Sequence, residues 1–172
     1  NLLASSAVRI AGFNKYRRIA SFITTGAAWR LFTATELAGG ALQMEYKAFV
    51  SEMDQYDASI ARQVRTIAVP IGLTVVAHMT ARLILYNVAN NIAAWIRPTI
   101  FTDATPALLG PCDIGARHLK LDELTDYSTN INVGTDLSGR VAHRQSYISN
   151  PGANTGGALS LATNGYTDAR IV

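Results

Sequence analysis

Arg9, Lys15, Arg17, Arg18 and Arg30 all precede the first acidic residue, Glu36, and are interleaved with Phe13, Tyr16 and Phe22. Arginine's planar fork binds phosphate in two places at once, and rings set between cations offer platforms on which bases stack. Such a set neutralises a polyanion without reading its sequence. The same residues would also suit an anionic bilayer, or ion pairs with acids of the C-terminal half. Composition favours nucleic acid. The candidate nucleic-acid-binding residues are therefore Arg9, Lys15, Arg17, Arg18 and Arg30, with Arg62 and Arg65 extending the basic surface from a second element.

Other chemistry is thinly represented. His78, His118 and His143 lie far apart, and none stands at metal-ligand spacing from Cys112 or a carboxylate. Phosphate loops, dinucleotide glycine patterns and nucleophile elbows are missing. Asp122, Glu123 and Asp126 cluster, but without the loop pattern of a calcium site. No catalytic residue, metal or cofactor is expected, and the chain reads as something other than an enzyme. Were it an enzyme, His78, Arg82 and Asn90 would be the candidates for a polar pocket.

The balance of residue types points to covered surface. Of 172 residues 49% are hydrophobic and only 16% charged, against about 25% in ordinary globular domains. Charge is also uneven: residues 1–97 hold ten Lys/Arg and five Asp/Glu (+5), and residues 98–172 hold five and seven (−2). That asymmetry suits either a polyanion partner or attraction between the unlike halves of neighbouring copies.

The elements that would carry these residues read as helices. A first helix is predicted over 14–38, stopped by Gly39 and Gly40. Leu42, Tyr46, Phe49, Met53, Tyr56, Ile60, Val64 and Ile67 follow in steps of three and four, the stripe of an amphipathic helix. The stretch from Ile67 to Ile96 is apolar on nearly every side and predicts a buried spine, opened or kinked at Pro70 and halted by Pro98. A short helix is expected over 117–127. Beyond Ser128 no helical period persists, so residues 128–172 are expected to form an extended, largely irregular arm.

The predicted fold is thus mostly α: a bundle of about three long helices plus a short one over residues 1–127, and the C-terminal arm over 128–172. On this reading deleting residues 150–172 leaves the helical core folded but weakens assembly. The function expected is a self-assembling structural protein, most plausibly a viral coat subunit. It would form homo-oligomers of many copies, package nucleic acid without sequence specificity and reside in the virion. The outline is similar to that of helical coat proteins of rod-shaped and filamentous viruses, as an analogy of architecture without a shared motif. The runner-up is a membrane-associated subunit with the 67–96 helix in or on a bilayer, against which Arg82 and the asparagines weigh.

Overall fold

From Val75 to Leu83 every odd residue is buried (Val75, Ala77, Met79, Ala81, Leu83), and the even residues Val76, His78, Thr80 and Arg82 all reach the surface. A period of two is the mark of a strand with one buried face. A computed structural model describes residues 24–25, 28–55, 61–86, 91–100, 114–117, 124–147 and 156–169, and strands dominate them.

In chain order the strands are β1 (Thr24–Thr25), β2 (Ala28–Trp29), β3 (Phe32–Glu36), β4 (Leu42–Gln55), β5 (Gln63–Thr66), β6 (Val76–Tyr86), β7 (Asn91–Pro98), β8 (Ile114–Arg117), β9 (Leu124–Gly134), β10 (Arg140–Tyr147) and β11 (Gly156–Asp168). The helical content of the described residues is one 3-10 turn, Ala38–Gly40. β1 and β2 pair as a small ribbon. The rest form a five-stranded sheet, β3-β4-β11-β6-β9, and a four-stranded sheet, β5-β10-β7-β8, antiparallel throughout. One core joins them: Met44, Met79, Leu83, Leu159 and Leu161 of the first sheet share a buried cluster with Ala94, Ile96 and Val141 of the second.

From β4 onward the pairing is nested. β7 pairs with β8, β6 with β9, β5 with β10 and β4 with β11, as in one long hairpin, and wrapping that hairpin adds β6–β11 and β7–β10. Eight strands paired in this way make a double-sheet jelly roll, with β3 as an extra edge strand.

The expected helical bundle is therefore overturned. The supposed spine falls on two strands in different sheets, β6 and β7, with 87–90 outside the described residues, and a turn at Pro70 and Gly72, the latter at φ 88°, separates it from β5. No helix among the described residues is long and apolar enough to cross a membrane, which removes the helix on which the membrane alternative was built. The supposed second helix falls on β4 and β5, with 56–60, and so Tyr56 and Ile60 of the stripe, outside the described residues. Leu42, Met44 and Tyr46 point inward at a period of two, and then the register with β11 shifts between Thr163 and Gly165 and again between Leu161 and Ala162. These bulges change the phase of the strand. After Tyr46 the inward positions are Val50 and Met53, at spacings of four and three, and Phe49 of the expected stripe is 69% exposed instead of buried. The first predicted helix falls on β1 to β3, with residues 14–23 and 26–27 outside the described residues. The short one falls on β8 and the start of β9, with 118–123 also outside.

The expected irregular arm holds part of β9 and all of β10 and β11, and β11 lies at the centre of its sheet between β4 and β6. Leu159 and Leu161 are fully buried there, each contributing roughly 2 kcal/mol by leaving water. Removing this segment takes out the strand that joins two halves of the sheet. Gly165 marks its tightest point: a Cβ there would stand 2.0 Å from the Met44 carbonyl oxygen. Gly165→Ala is expected to cost about 3 kcal/mol through this backbone clash. Equilibrium urea unfolding measures it, and an unchanged midpoint would contradict the close approach of β11 to β4.

Candidate nucleic-acid interface

The nested pairing sorts the charges by sheet. The strands of the four-stranded sheet contain Arg65, Arg97, Arg117, Arg140 and Arg144 and no Asp or Glu, a net +5. Those of the five-stranded sheet contain Glu36, Glu45, Glu52, Asp54, Asp126 and Asp168 against Lys47 and Arg82, a net of 2 − 6 = −4. Segments far apart in sequence thus build one basic layer and one acidic layer.

Register tells which arginines face outward. Val141 and Ile96 lie in the core, and His143 opposite Ile96 and Arg65 opposite Val141 share that inner side. Ala142 opposite Arg97, Arg144 opposite Trp95, and Arg140 opposite Thr66 occupy the outer side. The Arg97 guanidinium lies 5.9 Å from the centre of the Trp95 ring, in cation–π range. Arg140 is about half exposed and donates from Nε to Asp136 at 2.9 Å. Arg62, just before β5, donates from Nη2 to the Thr99 carbonyl at 2.6 Å, and the Thr99 hydroxyl donates to Asp136 at 3.1 Å. Desolvation pushes the Asp136 carboxyl up, but hydrogen bonds from Arg140, Thr99 and Ser138 together outweigh it and hold the group below the usual carboxylate range. Ala93, Trp95 and Ala142 on this side are buried, Arg97 and Arg144 half-buried and Arg140 exposed, so the cations border a covered apolar strip.

Of the residues expected from sequence, Arg62 and Arg65 belong to this layer. Arg65 turns inward and donates from Nη1 to the Glu52 carbonyl at 3.2 Å. Arg30 is elsewhere, 5.2 Å from the centre of the Tyr46 ring of the five-stranded sheet. Arg9, Lys15, Arg17 and Arg18 lie outside the described residues. Sequence reasoning missed Arg97, Arg117, Arg140 and Arg144. Their common signal, the lack of any acid in their three strands, becomes visible only once those strands are known to be neighbours.

Beneath the basic layer the core turns polar. The Glu52 carboxylate accepts the Ala68 N–H at 2.7 Å and the Thr163 hydroxyl at 2.6 Å. His143 is 3% exposed, and among the described residues its Nε2 has no hydrogen-bond partner. Burial, with the Arg65 charge adding to it, pushes its pKa down to about 4, so the ring is neutral at pH 7.

The outer side of the five-stranded sheet is a polar ladder. His78 Nε2 and the Thr167 hydroxyl are 2.8 Å apart, Asn164 donates to the Thr80 hydroxyl at 2.7 Å, and that hydroxyl donates to Asn130 at 2.9 Å. Arg82 Nε donates to Asp126 at 2.8 Å, and this bond holds the carboxyl below its usual range. A shallow recess of about 420 Å³ opens beside His78, Glu45, Asn132 and Asn164. Of the pocket residues an enzyme would use, His78 and Arg82 share this outer side of β6, and Asn90 lies outside the described residues. Among the described residues no three potential metal ligands converge.

No protein-family model matches the chain, and no curated protein matches it.

His143 gives the fold a pH dependence whose sign follows from its depressed pKa. The unfolded chain takes up a proton below about pH 6.5, the folded chain only below about 4, and between these limits about 3 kcal/mol of stability is lost on acidification. His143→Leu is expected to remove that loss. Urea midpoints for both proteins at neutral pH and near the folded-state pKa measure it, and equal acid sensitivity of the two would contradict the assignment.

Proposed function

We propose that this chain is a coat subunit of a virus-like particle, assembling in many copies and packaging nucleic acid through arginine without sequence specificity. The observation that carries the proposal is the nested strand order. Double-sheet jelly rolls serve as viral capsid domains, and also as lectin and cupin domains, so fold alone gives an analogy. The sorted charges favour the capsid use. The outward arginines Arg97, Arg140 and Arg144 suit a polyphosphate, and an acidic layer on the reverse suits a neighbouring copy's basic rim or keeps the polyanion on one side.

Exposed apolar side chains support assembly independently. Ile71, Ile100 and Leu137 are 63%, 81% and 62% exposed. The loops that carry them are tied together, since the Gly72 N–H donates to the Leu137 carbonyl at 2.7 Å and Thr99 to Asp136. Large aliphatics held out on fixed loops mark an interaction surface. On this reading the chain resides in the virion and its role is structural.

The test is salt-dependent binding of single-stranded oligonucleotides. For every phosphate that a variant no longer neutralises, the slope of log affinity against log salt becomes shallower by roughly 0.7 on single strands. Arg97→Gln with Arg140→Gln is expected to reduce both the affinity and that slope, and Arg17→Gln with Arg18→Gln to do the same. An unchanged slope in both variants would contradict nucleic-acid packaging by these residues.

A further inference from the structure

Each sheet has two edges, and three of the four are protected in ways that discourage further pairing. β3 is five residues long and ends in Glu36 and a turn through Gly39 and Gly40. β5 and β8 have four residues each and carry Arg65 and Arg117. Where β4 runs past β3, its register with β11 is interrupted twice by bulges. Short edges, charge and bulges are the usual means of blocking strand addition.

β9 is neither short nor bulged. It is eleven residues long, it matches β6 one for one from Leu124 opposite Tyr86 to Gly134 opposite Val76 without a register shift, and it contains no Pro, Lys or Arg. Its one charge, Asp126, is engaged by Arg82 of the neighbouring strand. Among the described residues β9 has a hydrogen-bonded neighbour on one side only. β7 and β8 of the other sheet come near it without pairing; β7 already has a neighbour on each side, and the four residues of β8 cannot cover eleven. Tyr127, on the same side of the strand as buried Val133, remains 50% exposed.

We infer that β9 is a dimerisation edge: β9 of a second copy pairs with it, antiparallel about a twofold axis at Thr129, and joins two five-stranded sheets into one of ten strands. This inference rests on the self-assembly reading and assigns it a surface. The edge is complementary to itself. With Thr129 on the axis, Tyr127 faces the partner's Ile131 on the core side, twice over, an aromatic and β-branched pair of the kind that stabilises sheets. On the outer side Ser128 faces the partner's Asn130, and Asp126 faces the partner's Asn132. No like charges oppose each other. A twofold pairing of this kind is closed, so it yields a dimer and not a filament. The dimer is then the unit from which the exposed loops of Ile71, Ile100 and Leu137 build further contacts.

Two variants test it in the full chain, in a Cys112→Ser background. Thr129→Cys brings two thiols together on the axis, where opposed Cβ atoms stand about 5 Å apart. Mild oxidation is expected to convert it largely to covalent dimer, and Thr35→Cys on the opposite edge not to crosslink. Ser128→Lys with Asn130→Lys puts charge on exposed positions of the edge. It is expected to keep the wild-type circular dichroism but to reduce the solution species, by light scattering, to half the mass of the wild-type dimer or to abolish particles. Assembly of wild type with no crosslink at Thr129, or with the lysine variant assembling unchanged, overturns the β9 edge and leaves self-assembly standing. A wild-type chain that stays monomeric at every concentration overturns both, and leaves the edge to an extended segment of another protein.

Discussion

The insertion of β11 between β4 and β6 is the constraint on which the rest of the molecule depends. It is the outermost pair of the nested hairpin, so it forms only when the chain's last described strand returns to meet strands some eighty and a hundred residues earlier. Leu159, Leu161 and Tyr166 then close the core from the middle of the sheet. Gly165 lets two backbones approach where any side chain would collide. Loop closure over such separations costs conformational entropy before contacts reward it, so folding of this topology is expected to be slow relative to helical bundles of the same size.

The same nesting creates the electrostatic character of the surface. Alternate strands of the long hairpin go to alternate sheets, so residues that are mixed along the chain are sorted in space. Arg65, Arg97, Arg117, Arg140 and Arg144 come from four separate segments and meet on one layer, while Glu45, Asp54 and Asp126 collect on the other. The sequence-level imbalance of +5 and −2 between halves is a faint trace of this. The partition by strand, +5 against −4, is sharper and has a different boundary. Arginines at the outer side of the basic layer need no partner of defined sequence. Arg65, turned inward, is structural and depresses the basicity of His143.

Much of this fold was written in the chain but in a form that favoured the wrong period. In β6 the alternation of Val75, Ala77, Met79, Ala81 and Leu83 with His78, Thr80 and Arg82 is regular, yet the continuous apolar run and its Ala, Met and Leu content also satisfy a buried helix. In β4 two bulges reproduced helical spacing, and no local signal distinguishes a bulged strand from an amphipathic helix there. β10 and β11 looked too sparse to form a core because their small residues, Ala142, Ala158 and Ala162, pack between two neighbouring strands and need little bulk. At the candidate interface Arg62 and Arg65 were legible as basic residues. Arg97, Arg140 and Arg144 were not, because their relevance comes from pairing partners forty or more residues away. The β9 edge was invisible for the same reason, since an edge is defined by topology.

Whether the folded chain forms a particle around nucleic acid is the central question. The direct measurement is the mass of the native species by multi-angle light scattering with absorbance at 260 and 280 nm, before and after nuclease. A coat subunit gives a particle of many copies with a high ratio of absorbance at 260 to that at 280 nm that survives nuclease treatment. A species no larger than a dimer, free of nucleic acid at low salt, would contradict it.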